Sequence, residues 1–79
     1  MDNVQERLTN CFEIVFPGLP VIEIPQSSQL SVAKWDSVAV ITLANVIEEE
    51  FGFQVDFDRL PELTSFGLIL DYVRGEVQR

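Results

Sequence analysis

Apolar residues recur at helical spacing near the start of the chain, scatter through a proline-containing stretch, and then return to helical spacing twice more. Val4, Leu8, Cys11, Phe12 and Val15 share one face, with Gln5, Glu6, Asn10 and Glu13 opposite, which predicts a first helix over about residues 3 to 16. Pro17-Gly18 ends it. Pro20, Pro25 and the polar run Gln26-Ser27-Ser28-Gln29 then predict an irregular connection of about 18 residues, long enough to suggest a role. Leu19, Val21, Ile22, Ile24 and Leu30 are the residues available to pin this loop onto a core. Their alternation over 19 to 24 would also suit a short strand, but no second strand is evident to pair with it, so extended loop is the expectation.

The second helix is predicted over about 37 to 51, with Gly52 and Phe53 forming a left-handed cap and its apolar contact. At 100° per residue, Val40, Leu43, Ala44, Ile47 and Phe51 fall on the core face. Thr42, Asn45 and Glu49 form a narrow polar stripe opposite. Val38, Ala39 and Val46 flank it and are expected to be partly exposed. Asp56 or Asp58 can cap a short helix around 58 to 63, where Pro61 is tolerable only in a first turn. Ser65 should cap a last helix with core stripe Phe66, Ile69, Leu70, Val73 and Val77, and with Asp71, Arg74 and Glu76 outward. The fold class expected is all-α: three main helices and one short helix, with a long loop between the first and second. There is no internal repeat.

The chain has 79 residues, which suits one domain spanning 1 to 79, near the lower limit for a core without disulfides or metal. Nearly half of the residues are apolar (47%), so a core can form. A formal charge of -8 argues against nucleic acid or an anionic membrane and favours basic protein partners, although acidic surfaces also serve solubility alone. Cys11 is the only cysteine, which excludes an intrachain disulfide and suits a reducing compartment. Neither a secretory leader nor a membrane span is legible, and a cytoplasmic location is expected.

Enzyme chemistry finds little support. Without histidine there is no Ser-His or Cys-His dyad, and the imidazole ligand usual at transition-metal sites is missing. Asp56-Phe57-Asp58 is too short for a calcium loop, and no glycine-rich phosphate loop is present. Cys11 lies on a core stripe, where burial is the ordinary state. Trp35 at a loop end is more often a plug than a contact residue.

One position stands apart. Asp36 is a good N-cap for the second helix, and Ser37 follows it, where unpaired backbone N–H groups and the helix dipole favour a phosphate. A serine there most commonly does no more than share in capping. Glu48, Glu49 and Glu50 sit near the C-terminus of the same helix, where the dipole disfavours each by ~0.3–1 kcal/mol. Stability does not ask for them there. Partner recognition would explain them, and a solvated face would too.

From Asp36-Ser37-Val38, through an apolar run to Ile47, to Glu48-Glu49-Glu50-Phe51, the chain resembles the modification segment of acyl carrier proteins without a gap. Fainter similarity covers the whole chain, ending in Asp71-Tyr72-Val73. The resemblance implies a four-helix bundle in which Ser37 carries 4′-phosphopantetheine, attached from coenzyme A by a phosphopantetheinyl transferase with magnesium. It implies that Asp36 helps the transferase engage, and that acidic residues of the second helix, here Glu48 and Glu49, steer the carrier to basic patches on acyl-loading and acyl-transfer enzymes. Glu50 lies nearer the apolar boundary. Val38 replaces the usual leucine, and Ala39 and Thr42 stand where many fatty-acid carriers are acidic. Val38, Ala39, Thr42 and Val46, with Glu48 and Glu49, are thus the candidate partner contacts of a monomeric carrier, one serving fatty-acid, specialised lipid or polyketide synthesis.

The acid-poor start of that helix suggests a dedicated pathway. Three other readings stay open: a peptidyl or amino-acyl carrier sharing the same arm, an unmodified acidic helical adaptor, and a small hydrolase using Ser37.

Overall fold

The computed structural model describes residues 3 to 77. Three α-helices, α1 (Asn3–Val15), α2 (Ser37–Phe51) and α3 (Phe66–Val77), alternate with two 3-10 helices, Val21–Gln26 and Phe57–Glu62. No named strand occurs among the described residues, so the all-α expectation holds. The helix α1 packs against both α2 and α3. Leu8, Cys11 and Phe12 are fully buried from it, with Val4 and Val15 at the margin.

The connection between α1 and α2 differs from the extended loop expected. Val21–Gln26 winds into a 3-10 helix with Pro25 inside it. Tight i→i+3 turns need only a short run of bonds, so Pro25 costs little there. Coiling also changes which residues face inward. Ile24 is completely buried and Leu19 packs against the core, whereas Val21, Ile22 (83% exposed) and Leu30 (100% exposed) turn to solvent. Only two of the five candidate pins therefore reach the core. A further tether replaces them: Gln29 N–H donates to the Thr64 carbonyl at 2.8 Å, and Phe66 N–H to the Ser27 carbonyl at 3.0 Å, flanking an isolated antiparallel bridge between Ser28 and Ser65. Ser27 is buried because its hydroxyl donates to the Ile24 carbonyl at 2.6 Å.

The loop ends in Trp35, which is buried edge-on to Phe12 (centroids 5.5 Å apart) and stacked on Phe16 (5.6 Å). It is a plug, as expected. Phe12 meets Phe66 edge-on at 5.0 Å, so an aromatic cluster joins α1, the loop end and α3. Such contacts contribute beyond area burial alone, by about 0.5–1.5 kcal/mol per pair.

The helix α2 has the predicted bounds. Gly52 ends it at φ 76°, a left-handed conformation that a side chain would strain, and its N–H returns to the Glu48 carbonyl at 3.0 Å. Leu43, Ala44 and Ile47 are buried, and Val40 and Phe51 are half-buried.

The short helix expected at 58 to 63 is the 3-10 helix Phe57–Glu62, begun by Asp56, whose carboxylate accepts the Asp58 N–H at 3.0 Å. Pro61 stands in its second turn, not the first. The 3-10 winding makes that tolerable, because so short a helix is already ending. In α3, Ser65 Oγ accepts the Leu68 N–H at 3.2 Å, and Phe66, Ile69, Leu70 and Val73 are buried. Val77 is exposed at the helix end, and Arg74 and Glu76 are half-buried, so the outward face of α3 is narrower than its sequence pattern predicts.

Candidate functional site

Ser37 is the first residue of α2 and is exposed. Asp36 before it has extended backbone (φ -114°, ψ -174°), and its carboxylate accepts the Ala39 N–H at 2.8 Å. The Asp36 carbonyl accepts the Val40 N–H at 3.0 Å, closing the first α-helical turn. The Ala39 amide is thus satisfied by the cap. Those of Ser37 and Val38 lie before the first intrahelical acceptor, so the helix itself gives them no partner. No acidic residue lies in this first turn to oppose an anion beyond Asp36 itself.

An open groove of about 430 Å³ begins at Ser37. Trp35, Asp36, Ile41, Phe57 and Pro61 are among the residues that line it. Three of its walls, Val40, Leu60 and Leu63, also belong to a narrow crevice between α2, the second 3-10 helix and α3. Leu43, Ala44, Ile47, Val55, Ile69 and Tyr72 complete that crevice. The lining is apolar apart from the tyrosine hydroxyl. Its free volume is only about 10 Å³, close to the least that holds one water.

Among the candidate partner contacts, Val38 is 72% exposed, Thr42 is exposed, and Ala39 and Val46 are half-buried. The Thr42 hydroxyl donates back to the Val38 carbonyl at 3.0 Å. Ile41 has no place in the sequence reading yet is 45% exposed one turn beyond Ser37. The i, i+3 relation to Val38 was the available signal.

The three glutamates have different surroundings. Glu48 is half-buried, and its carboxylate accepts the Val55 N–H at 2.8 Å. Glu50 pairs with Arg7 of α1 at 2.9 Å, and Arg7 donates as well to the Glu50 carbonyl. Glu49 is exposed. The expectation that stability has no use for these glutamates is therefore corrected for two of them: a partner in the following loop for Glu48 and one on α1 for Glu50 offset the unfavourable helix dipole.

These residues fit a phosphodiester-linked arm. Ser37 is exposed at a helix start, where unpaired amides favour a phosphate, and it lines a groove that shares walls with an apolar crevice. No helix among the described residues is long and apolar enough to cross a membrane. A comparison with curated proteins gives no match. Residues 6 to 73 match the family described as the phosphopantetheine attachment site, which bears covalent 4′-phosphopantetheine. That match spans most of the chain, and the chain belongs to the phosphopantetheine attachment-site family, as a carrier protein of the acyl-carrier kind.

Proposed function

We propose that Ser37 is the attachment residue and that the protein carries acyl groups, rather than peptidyl or amino-acyl groups, between enzymes. The observation that carries this reading is the continuity of walls from Ser37 inward: Val40, Leu60 and Leu63 line both the groove at the hydroxyl and the crevice behind it. A hydrocarbon chain entering that crevice gains about 0.8 kcal/mol for each methylene buried. A charged amino-acyl group would instead lose hydration there with no partner to replace it.

When bound, the arm supplies a terminal thiol on which cargo is held as a thioester. The chain's own residues do the rest. Ser37 Oγ supplies the ester oxygen, Asp36 holds the first turn of α2 in shape, and the Ser37 and Val38 amides favour the phosphate. Acid–base and bond-forming chemistry falls to partner enzymes, as is general for such carriers. Tethering raises the local concentration of cargo at each partner.

Recognition is assigned to the exposed face beside Ser37: Val38, Ala39, Thr42 and Val46, with Ile41 added. Glu49 and the outer edge of Glu48 offer charge to basic patches. The nearest α2 glutamate is 11 residues past Ser37, so the contact surface at the arm itself is apolar. That distribution favours a dedicated partner of a specialised lipid or polyketide pathway in a reducing cytoplasm. The carrier works as a monomer.

The test is intact-protein mass after incubation with coenzyme A, magnesium and a broad-specificity phosphopantetheinyl transferase, with Ser37→Ala as control. One phosphopantetheine increment, absent from the variant, is expected. An increment retained by folded Ser37→Ala, or none with several transferases on folded wild type, would overturn the assignment.

A further inference from the structure

Two hydrogen bonds from different helices converge on neighbouring amides of the segment that closes the inner crevice. Val55 N–H donates to Glu48 Oε2 of α2 at 2.8 Å, and Asp56 N–H donates to Tyr72 Oη of α3 at 2.9 Å. Both amides belong to a loop that would otherwise have only water as acceptor. Val55 itself is buried and lines the crevice. Asp56 starts the 3-10 helix carrying Leu60, and that helix ends at Leu63, so the same two bonds position the outer wall of the crevice as well.

The Tyr72 ring is held from two sides. Phe53 meets it edge-on at 6.1 Å, and the Arg59 guanidinium lies 5.3 Å from its centroid. Arg59 is itself in the 3-10 helix. Along α2 the crevice runs from Val40, shared with the groove at Ser37, to Ile47. At 1.5 Å per residue this is about 10 Å. Ile47 adjoins Glu48 in sequence, so the paired bonds lie at the end of the crevice remote from Ser37.

We infer that Glu48 and Tyr72 are positioning residues that pin the far wall of the crevice and thereby set the length of acyl chain the carrier can shelter, with short chains as its cargo. This rests on Ser37 being the attachment residue. With only about 10 Å³ of free volume in the crevice, any cargo must move a wall. A short chain displaces Leu60 and Leu63 at the mouth, where no polar bond is broken. A longer one must push Val55 and Asp56 off their acceptors; the part-buried Val55–Glu48 bond carries most of that cost, because water can replace the exposed Asp56–Tyr72 bond. The penalty therefore rises in a step, at the length that reaches Ile47.

The experiment uses protein loaded with straight-chain saturated acyl groups of increasing length, and reads protection of the thioester from hydroxylamine. Wild type should gain about fourfold in protection for each methylene sheltered and then stop gaining. Tyr72→Phe keeps the ring and removes the acceptor, and Glu48→Ala removes the other. Each should carry the gain to longer chains, the double variant furthest. Glu48→Gln retains an oxygen acceptor and should restore the wild-type limit. Amide exchange in the unloaded protein should quicken about fivefold at Val55 in Glu48→Ala and at Asp56 in Tyr72→Phe, as expected for loss of one such bond.

An unchanged length limit alongside quickened exchange would overturn the inference and leave Ser37 in its role. Failure of the transferase to load Ser37 would overturn both together, and the mass spectrum shows which has occurred.

Discussion

The Asp36 carboxylate accepts the Ala39 N–H at 2.8 Å and so arches over Ser37 and Val38. Cap and modification residue are adjacent, and two demands fall on one aspartate: shaping the first turn and presenting charge to the transferase. The two can be separated. Asp36→Ala should lose about 1 kcal/mol of stability, whereas Asp36→Asn, an equally good cap, should lose only a few tenths. Urea unfolding measures both. If a basic transferase face reads the carboxylate, Asp36→Asn should still load as slowly as Asp36→Ala.

Trp35 packs on Phe12 and Phe16 where the long loop enters α2. Trp35→Ala should cost about 3–5 kcal/mol, a large share of the ~5–15 kcal/mol available to a domain. Trp35→Phe should cost less than half as much. It keeps an aromatic contact and removes an indole N–H that is buried without an acceptor among the described residues. Thermal unfolding followed by circular dichroism gives the ranking.

The contrast between α2 and the loop before it shows what pattern can reveal. In α2 the Asp36 cap, the apolar period and Gly52 all act within one turn of their targets, so bounds and core face could be read directly. In Val21–Gln26 the alternating apolar residues carried no local signal for coiling. What decides their direction is the distant tether of Ser27 and Gln29 to Thr64 and Phe66, which no local pattern contains. The candidate site divides the same way. Asp36 was legible as a helix cap, and Ser37 from the resemblance of the segment it opens. Ile41 could have been found from its spacing to Val38. The bonds of Glu48 to Val55 and of Tyr72 to Asp56 depend on loop paths and were not legible.

Arg7 joins α1 to the end of α2 by three contacts: the Glu50 carboxylate at 2.9 Å, the Glu50 carbonyl, and the face of Phe51, 4.5 Å from its guanidinium. Both charged side chains are more than a third open to solvent, at 35% and 38%. Glu50→Gln should therefore cost less than about 1 kcal/mol, with most of that lost in high salt. Arg7→Ala removes all three contacts and should cost about 1–2 kcal/mol, much of it insensitive to salt because the ring contact and the aliphatic stem remain packed at any ionic strength. Urea titrations of both variants and the double variant, at low and high salt, separate the components. Equal costs for the two single variants would show that the carboxylate pair dominates.

Burial pushes the Cys11 thiol up from 9.0 to about 11, with the Glu50 charge adding to the effect and Arg7 opposing it. The consequence for stability has a definite sign. Between those two values the unfolded chain has released a proton that the folded chain still holds, so proton binding favours the folded state less as pH rises. The contribution is fully present below pH 9 and is lost as pH climbs toward 11, at no more than about 1.4 kcal/mol per unit. The informative quantity is the difference between wild type and Cys11→Ala. Wild type should lose stability more steeply over this interval, and equal slopes would show that the thiol contributes nothing. Reactivity follows from the same cause. With its sulfur buried and protonated at pH 8, folded protein should alkylate with iodoacetamide at least about a hundredfold more slowly than the chain in urea, because attack requires an exposed thiolate. Equal rates would mean that α1 opens readily, and the buried stripe of Leu8, Cys11 and Phe12 would then be a poor anchor for the helix that bears Ser37.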